Sequence, residues 1–571
     1  MDVVKAVSGY ITRMVSAADS RSGATTTKMK ILLLDKETVS VVSTAITQSA
    51  LLNHEVYLID RLDNQNREKM RHLRCICFVR PSSESIQSLL DEFREPRYGE
   101  YYIYFSNIIK KSALERLAEA DDHEVVRVVQ EFFADFIVIN PDLFTLDLGS
   151  QKKHIWGSNP DTWNTETLQS TTEGLQAVLL SLKKKPLIRY AKDSLLAKKL
   201  ATEIQHNISQ ESKLFDFRKV DTPPILLILD RRDDPITPLL TQWTYQAMVH
   251  ELIGIHNGRV DLSNVPDIRP ELKEVVLCQE QDPFFKKNMY LNFGDLGGNI
   301  KDYVEQYQSK TKNSSNIESI ADMKRFIEEY PEFRKLSGNV NKHVTIVGEL
   351  SRRVGVENLL ENVQRLIQSA NVSPETKLRL VALYALRYEK NPSNTIALLI
   401  ELLVAVGKVP LYRAEIIPKL LKYQASLQRT QVVGGITDIL ESTGIFSGAR
   451  SRLRGLQGVE NVYTQHSPRL ELTIQNLIKG RLKESQYPFA EGGGVTRDKP
   501  QDIIIFIIGG VTFEEAKTIS QINTSSLGTR IVLGGTSVHN SASFLSEVEE
   551  TVSAWSEYST LGTRYDTSRR E

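Results

Sequence analysis

Three continuous apolar runs constrain the fold of this chain more than any other feature. They read ILLIL at Ile225 to Leu229, DIIIFIIGG at Asp502 to Gly510 and RIVLGG at Arg530 to Gly535. Such runs mark buried parallel strands, apolar on both faces because helices cover both. One strand cannot make a sheet, and from Val260 to about Lys483 helical periodicity prevails. The first run therefore pairs with partners that arrive late in the chain. The helical stretch between them is an insertion into a discontinuous α/β domain.

Ahead of it, from Lys30 to Asn140, KILLLD, EVYLID, CICFVR, YYIYF and DFIVIN alternate with amphipathic segments. That alternation predicts a second doubly wound parallel sheet. The fold class is α/β and α: two doubly wound parallel-sheet domains, with a large, mostly helical insertion in the second. The boundaries fall at residues 1–142 for domain 1, 143–255 and 486–571 for the two parts of domain 2, and 256–485 for the insertion. A length of 571 residues agrees, since one core stops growing well below that size. At the N-terminus Val3, Val4, Val7, Tyr10, Ile11, Met14 and Val15 share one helical face, which reads as a docking helix and not as a signal peptide.

The 71 lysines and arginines are balanced by 71 aspartates and glutamates, so no net field draws in nucleic acid. Cys75 and Cys77 stand at i and i+2 of a strand, a poor geometry for a mutual disulfide, and no second Cys/His pair has zinc spacing. No metal and no cofactor are implied. Ile396 to Val406, interrupted by Glu401, is about half of what a bilayer crossing needs, so no direct membrane insertion is expected.

The cluster Asp230, Arg231, Arg232, Asp233, Asp234 follows the first apolar run, where α/β enzymes place catalytic groups. A hydrolase or phosphotransfer enzyme using Asp230 and Asp233 is one reading. Arginines interleaved with the acids favour the other, a salt-linked structural loop without catalytic duty. Thr237 and Pro238 then suit the start of a helix, and apolar residues from Leu239 to Leu252 cover nearly its whole circumference. His250 reads as a hydrogen-bonded core or interface histidine. Gly509-Gly510 and Gly534-Gly535 end strands, but neither has GxGxxG spacing nor a P-loop lysine, so tight turns suffice.

Four stretches, LLILDRRDDPITPLLTQWTYQAMVHELIGI, IESIADMKRFIEEYPEFRKLSGNVNKHVTIVGEL, GVENVYTQHSPRL and PQDIIIFIIGGVTFEEA with RIVLGGTSVHN, follow one another as in the SM (Sec/Munc) family of syntaxin-binding proteins. The chain resembles that family over nearly its whole length. The resemblance implies an arch of three domains around a cleft and a non-enzymatic role in SNARE assembly. Its partners would be a syntaxin-like Qa-SNARE, bound by its N-terminal peptide and helical regions, then an R-SNARE and other Q-SNAREs, with one Qa-SNARE per monomer. The peptide pocket maps to Leu114, Leu117, Ala118, Val129 and Phe133, in a groove between two helices. The template for the R-SNARE maps to about Ser319 to Leu336, with Phe326, Ile327 and Tyr330 as contacts and Trp243 supporting the cleft. Pro331 breaks or kinks that helix, because proline removes a hydrogen bond and clashes with the preceding turn. Peripheral residence on Golgi, endosomal or vacuolar membranes through SNARE partners is implied as well. One departure is that VENLLE runs directly into NVQRLIQS at Glu361-Asn362, where relatives carry a longer acidic segment.

Overall fold

The computed structural model describes all residues except 18–28, 150, 152, 219, 241–242, 267, 281, 316–338, 348, 351–362, 391–393, 428–465, 492–498, 527 and 567–571. Helix α1 (Val3–Ala17) buries all seven apolar positions read from its periodicity. Five parallel strands follow: β1 (Lys30–Leu34), β2 (Val56–Arg61), β3 (Met70–Val79), β4 (Tyr98–Phe105) and β5 (Val126–Glu131). They lie in the order β2-β1-β3-β4-β5. Between them run α2 (Lys36–Ala45), α3 (Gln48–Asn53), α4 (Ser83–Arg94) and α5 (Lys111–Ala120). The strand-to-helix turns are cut by N-caps: Asp35 accepts from the Thr38 amide at 2.8 Å and Ser82 from that of Ser85 at 3.1 Å. Each cap satisfies a backbone donor that the helix start leaves open, a contribution of about 1 kcal/mol.

Two expectations need correction here. The VRVVQE segment, expected as the second helix of a groove, is β5, the edge strand of this sheet. The DFIVIN run does not close the first sheet: β6 (Ile137–Asn140) pairs antiparallel with β7 (Leu143–Thr145) in the second one.

The second sheet continues with α6 (Thr165–Ser181), β8 (Leu187–Tyr190), α7 (Leu195–Gln210) and β9 (Ile225–Asp230). After β9 come two 3₁₀ turns, at Arg231–Asp233 and Thr237–Leu239, and the helix expected at the second begins only at α8 (Tyr245–Leu252). Leu240 is already extended (ψ 133°), which ends the turn. The insertion holds a small hairpin, β10 (Arg259–Asp261) with β11 (Glu274–Val276), then α9 (Pro283–Asn288) and α10 (Phe293–Ser315). Helical residues 339–347 return from the far side of the undescribed segment. Further helices are α11 (Val363–Gln368), α12 (Pro374–Tyr388), α13 (Ile396–Ala405), α14 (Leu411–Ala414), α15 (Ile416–Ala425) and α16 (Arg469–Ile478).

The late strands then arrive: β12 (Asp502–Ile508), α17 (Phe513–Ser525), β13 (Arg530–Gly535) and finally α18 (Ser541–Asp566). The sheet order is β6-β7-β13-β12-β9-β8. β12 runs parallel to both neighbours, with Ile505 opposite Leu227 on one side and Leu533 on the other. The discontinuous domain deduced from the three apolar runs is thus the one observed. One apolar cluster spans both sheets, from Leu32, Ile76 and Tyr104 of the first to Leu226, Phe506 and Val532 of the second. Within it Phe132 stacks between Tyr10 of α1 (5.0 Å) and Tyr104 of β4 (5.1 Å), each ring pair being worth about 0.5–1.5 kcal/mol beyond its area.

Candidate functional site

The first candidate surface is formed by α5 and β5, whose residues Leu117 and Val126 share one apolar cluster. The ladder pairs Tyr101 with Val126 and Tyr102 with Val128, so Arg127 is an extra residue, a bulge. The bulge changes which way the strand faces. Val126 packs with the cluster under α5, whereas Val128 packs with the cluster on the other face. Alternation then returns Val129, paired with Ile103, to the α5 side. On α5, Leu114 and Ala118 are one turn apart on the same face. Leu114 is 39% exposed, Val129 40%, and Ala118 is exposed too, while Leu117 is buried at 3% and forms the floor. Phe133 does not join them: it is half-buried and packs against the opposite-face cluster, because Phe132 and Phe133 follow the end of the strand toward the second sheet. Lys110 caps α5 without a side-chain acceptor, and the Ile109 amide donates to Glu131 Oε1 at 2.8 Å, closing the end of the groove.

The second candidate is the charged loop after β9. Asp230 accepts four hydrogen bonds: from the Arg232 amide (3.0 Å), Arg232 Nε (3.0 Å), Arg232 Nη2 (2.7 Å) and Ser194 Oγ (2.6 Å). Burial works to raise its carboxyl, but the Arg232 guanidinium outweighs that and holds it below the ordinary carboxylate range. Arg232 reaches on to the Pro160 carbonyl at 3.0 Å and to Ser426 Oγ, at the end of α15, at 3.2 Å. Arg231 turns the other way. Its Nε and Nη2 donate to the Gly510 carbonyl at 3.1 and 2.9 Å, Nη2 meets Glu515 Oε2 at 2.5 Å, and Nη1 donates to the Asp234 carbonyl at 3.1 Å. Asp233 pairs with Arg469 of α16 at 2.8 Å. Asp234 accepts from Thr237 Oγ1 at 2.7 Å and from the Arg469 amide at 3.2 Å.

These contacts join β9 to the start of α17, to α15 and to α16, and they leave no oxygen of Asp230 for a substrate. The loop's chemistry is mechanical, and the hydrolase or phosphotransfer reading loses the carboxylate it depends on. The glycines beside it are equally committed. Gly509 and Gly510 have φ of +86° and +87°, and a Cβ on Gly510 would stand 2.3 Å from His539 Cδ2, so the turn is filled by protein where a phosphate cradle would be open. His250 is buried, accepts from the Ile255 amide at 3.1 Å and stands edge-on to Phe513 at 5.1 Å; burial pushes it down to about 4, which keeps it neutral. Trp243 is half-buried in the cluster that joins α8, α9 and α10, and its carbonyl accepts from the Phe293 amide at 2.9 Å. Phe326, Ile327, Tyr330 and Pro331 lie outside the described residues, as does the junction at Glu361-Asn362. Among the described residues no cluster of His, Cys, Asp and Glu could hold a metal ion, and no helix is long and apolar enough to cross a membrane.

A parallel sheet, a second sheet parallel but for its β6-β7 pair, and a helical insertion joined to that second sheet through Arg232 and through the Asp233–Arg469 pair make up the frame. Residues 30–547 match the Sec1 family model, and the chain belongs to that family. It is 50% identical over 569 residues to vacuolar protein sorting-associated protein 45 of Homo sapiens, with 96% of each chain covered. A solved structure of the SM protein Vps45 in complex with the Qa SNARE Tlg2 (1-310) is 61% identical, with a TM-score of 0.88 and coverage of 97% of this chain and 99% of that one. The structure of the SM protein Vps45 alone gives a TM-score of 0.85 at 58% identity, covering 97% of this chain and 98% of that one. The two α/β sheets with their helical insertion are therefore the SM fold, as the sequence resemblance implied.

Proposed function

We propose that this chain is a chaperone of SNARE complex assembly. It binds a syntaxin-like Qa-SNARE and templates its pairing with an R-SNARE and the other Q-SNAREs before vesicle fusion. The observation that carries the reading is the likeness, at a TM-score of 0.88 over nearly the whole chain, to Vps45 in complex with a Qa SNARE. The division of labour follows the three parts read from the sequence. Residues 1–142, apart from β6, hold the N-terminal peptide, 143–255 with 486–571 and β6 form the frame, and 256–485 carry the template near Ser319 to Leu336. The protein works peripherally, at Golgi, endosomal or vacuolar membranes, held there by SNARE partners.

The peptide site is the α5/β5 groove, with Leu114, Ala118 and Val129 as its walls and Leu117 as its floor. Support comes from the exposure of Leu114 and Ala118 on α5 and of Val129 on β5, since an apolar anchor buried there contributes about 1.5–3 kcal/mol. Leu114→Arg adds a charge at an exposed position and leaves the core beneath it intact. Titration calorimetry with the N-terminal peptide of Tlg2 is expected to show affinity reduced by at least tenfold, with an unchanged melting temperature. Unchanged affinity removes the groove from this account.

A further inference from the structure

At the base of the insertion, α9 is wedged between the outgoing α10 and the returning helical residues 339–347. Phe284 of α9 stacks on Tyr303 of α10 at 4.7 Å and lies against the ring of His343 at 4.6 Å. Beneath the rings, Leu296 of one arm and Ile346 and Leu350 of the other share a cluster with Phe285, Met289 and Tyr245. Across this apolar base runs one polar line. Asp282, 2% exposed, accepts from the Phe285 amide through Oδ1 at 2.9 Å, which makes it the N-cap of α9. Its Oδ2 takes His343 Nε2 at 2.7 Å and the Lys342 ammonium. His343 Nδ1 in turn meets the Tyr245 hydroxyl of α8 at 2.8 Å, and Lys342 Nζ also donates to the Val276 carbonyl of β11 at 3.2 Å.

We propose that Asp282 is a positioning residue for templating: its clamp on Lys342 and His343 sets the rotation and height of the returning helix, and with it the pose of the helical arm that presents the template. The inference rests on the chaperone reading above. Apolar packing alone accepts many rotations of one helix on another, but the carboxylate is satisfied in a single register. A slip of one residue moves the returning helix by about 1.5 Å and turns it by about 100°, which breaks both bonds and strands a charge in the interior. A buried polar group of this kind serves register more than stability, as an interior asparagine does in a coiled coil.

Asp282→Asn separates the clamp from the cap. Asparagine remains a good N-cap, accepting from the Phe285 amide, but turns an NH₂ group toward the Lys342 ammonium. Lys342→Met is the second variant, removing the cation with little change in volume. Both are made in the full chain and compared with wild type by hydrogen exchange, by affinity for the N-terminal peptide of Tlg2, and by the rate of SNARE assembly on Tlg2 (1–310). Expected are exchange at least tenfold faster over 293–307 and 339–347, β9 and β12 as protected as in wild type, peptide affinity within twofold, and assembly at least fivefold slower. Unchanged exchange in both arms overturns the clamp. Exchange that rises equally in β9 and β12 overturns it too, because Asp282 would then be a contributor to global stability only. Wild-type chain that fails to speed assembly overturns the chaperone reading instead, and the exchange comparison still decides whether Asp282 poses the arm.

Discussion

Replacing Arg231 by methionine tests whether the charged loop is a structural tie. Arg231 and Glu515 are both 1% exposed, and the guanidinium meets that carboxylate at 2.5 Å. Methionine fills much of the same space but leaves Glu515 buried and charged and takes the donors away from the Gly510 and Asp234 carbonyls. Removing one partner of a buried pair costs about 3–5 kcal/mol, most of it the burden of the stranded charge. That figure makes a second prediction with no free parameter. Arg231→Met/Glu515→Gln neutralises the charge yet keeps an oxygen for the Thr512 amide, so the capping box at the start of α17 survives. The double variant is expected to recover about 2 kcal/mol of the loss. Urea unfolding followed by the fluorescence of the four tryptophans measures both through the shift in midpoint at constant slope. A loss below about 1 kcal/mol for Arg231→Met, or no recovery in the double variant, refutes the argument that the pair is a desolvated structural tie. Peptide affinity at the α5/β5 groove is expected to stay unchanged below the unfolding transition.

Two further predictions concern groups that the strand ends hold in place. A Cβ on Gly534 would stand 2.0 Å from Phe144 Cζ, so Gly534→Ala is expected to cost about 1–3 kcal/mol, and Gly534→Ala/Phe144→Leu to cost less than the sum of its parts; strict additivity in urea midpoints counts against the overlap. His250 is held neutral at a folded value of about 4 against about 6.5 when unfolded, so the unfolded chain takes up the proton first as pH falls. Its contribution is complete above pH 6.5 and is lost as pH drops through 4. Between pH 7.5 and 5 wild type is expected to lose about 2 kcal/mol more than His250→Gln, and equal losses contradict a buried neutral imidazole.

How much of this was legible in the chain depends on the question asked of it. The three apolar runs named their own partners, because a strand apolar on both faces must be covered on both and flanked by strands, and few candidates existed. β5 escaped because the bulge at Arg127 breaks the period of two that would have revealed it. β6 looked like a strand of the first sheet, yet Asn140-Pro141-Asp142 between two apolar runs was a turn signal that points to the hairpin with β7. The partners of Arg231 lie 279 and 284 positions away, and Asp282 meets Lys342 and His343 across 60 and 61, distances at which no local pattern operates.

Periodicity reports that a face is apolar; it does not report what covers that face. Most apolar positions here find cover within the chain, as α1 and β12 do completely. Leu114, Ala118 and Val129 do not, although the same kinds of side chain are buried one residue away at Leu117 and one strand away at Ile103. Desolvating such a face is favourable by tens of calories per Å², so a chain that leaves it open beside a rigid helix and an edge strand retains that free energy for a partner. The disagreement between pattern and burial at α5 and β5 is the physical reason for proposing that surface as the peptide groove.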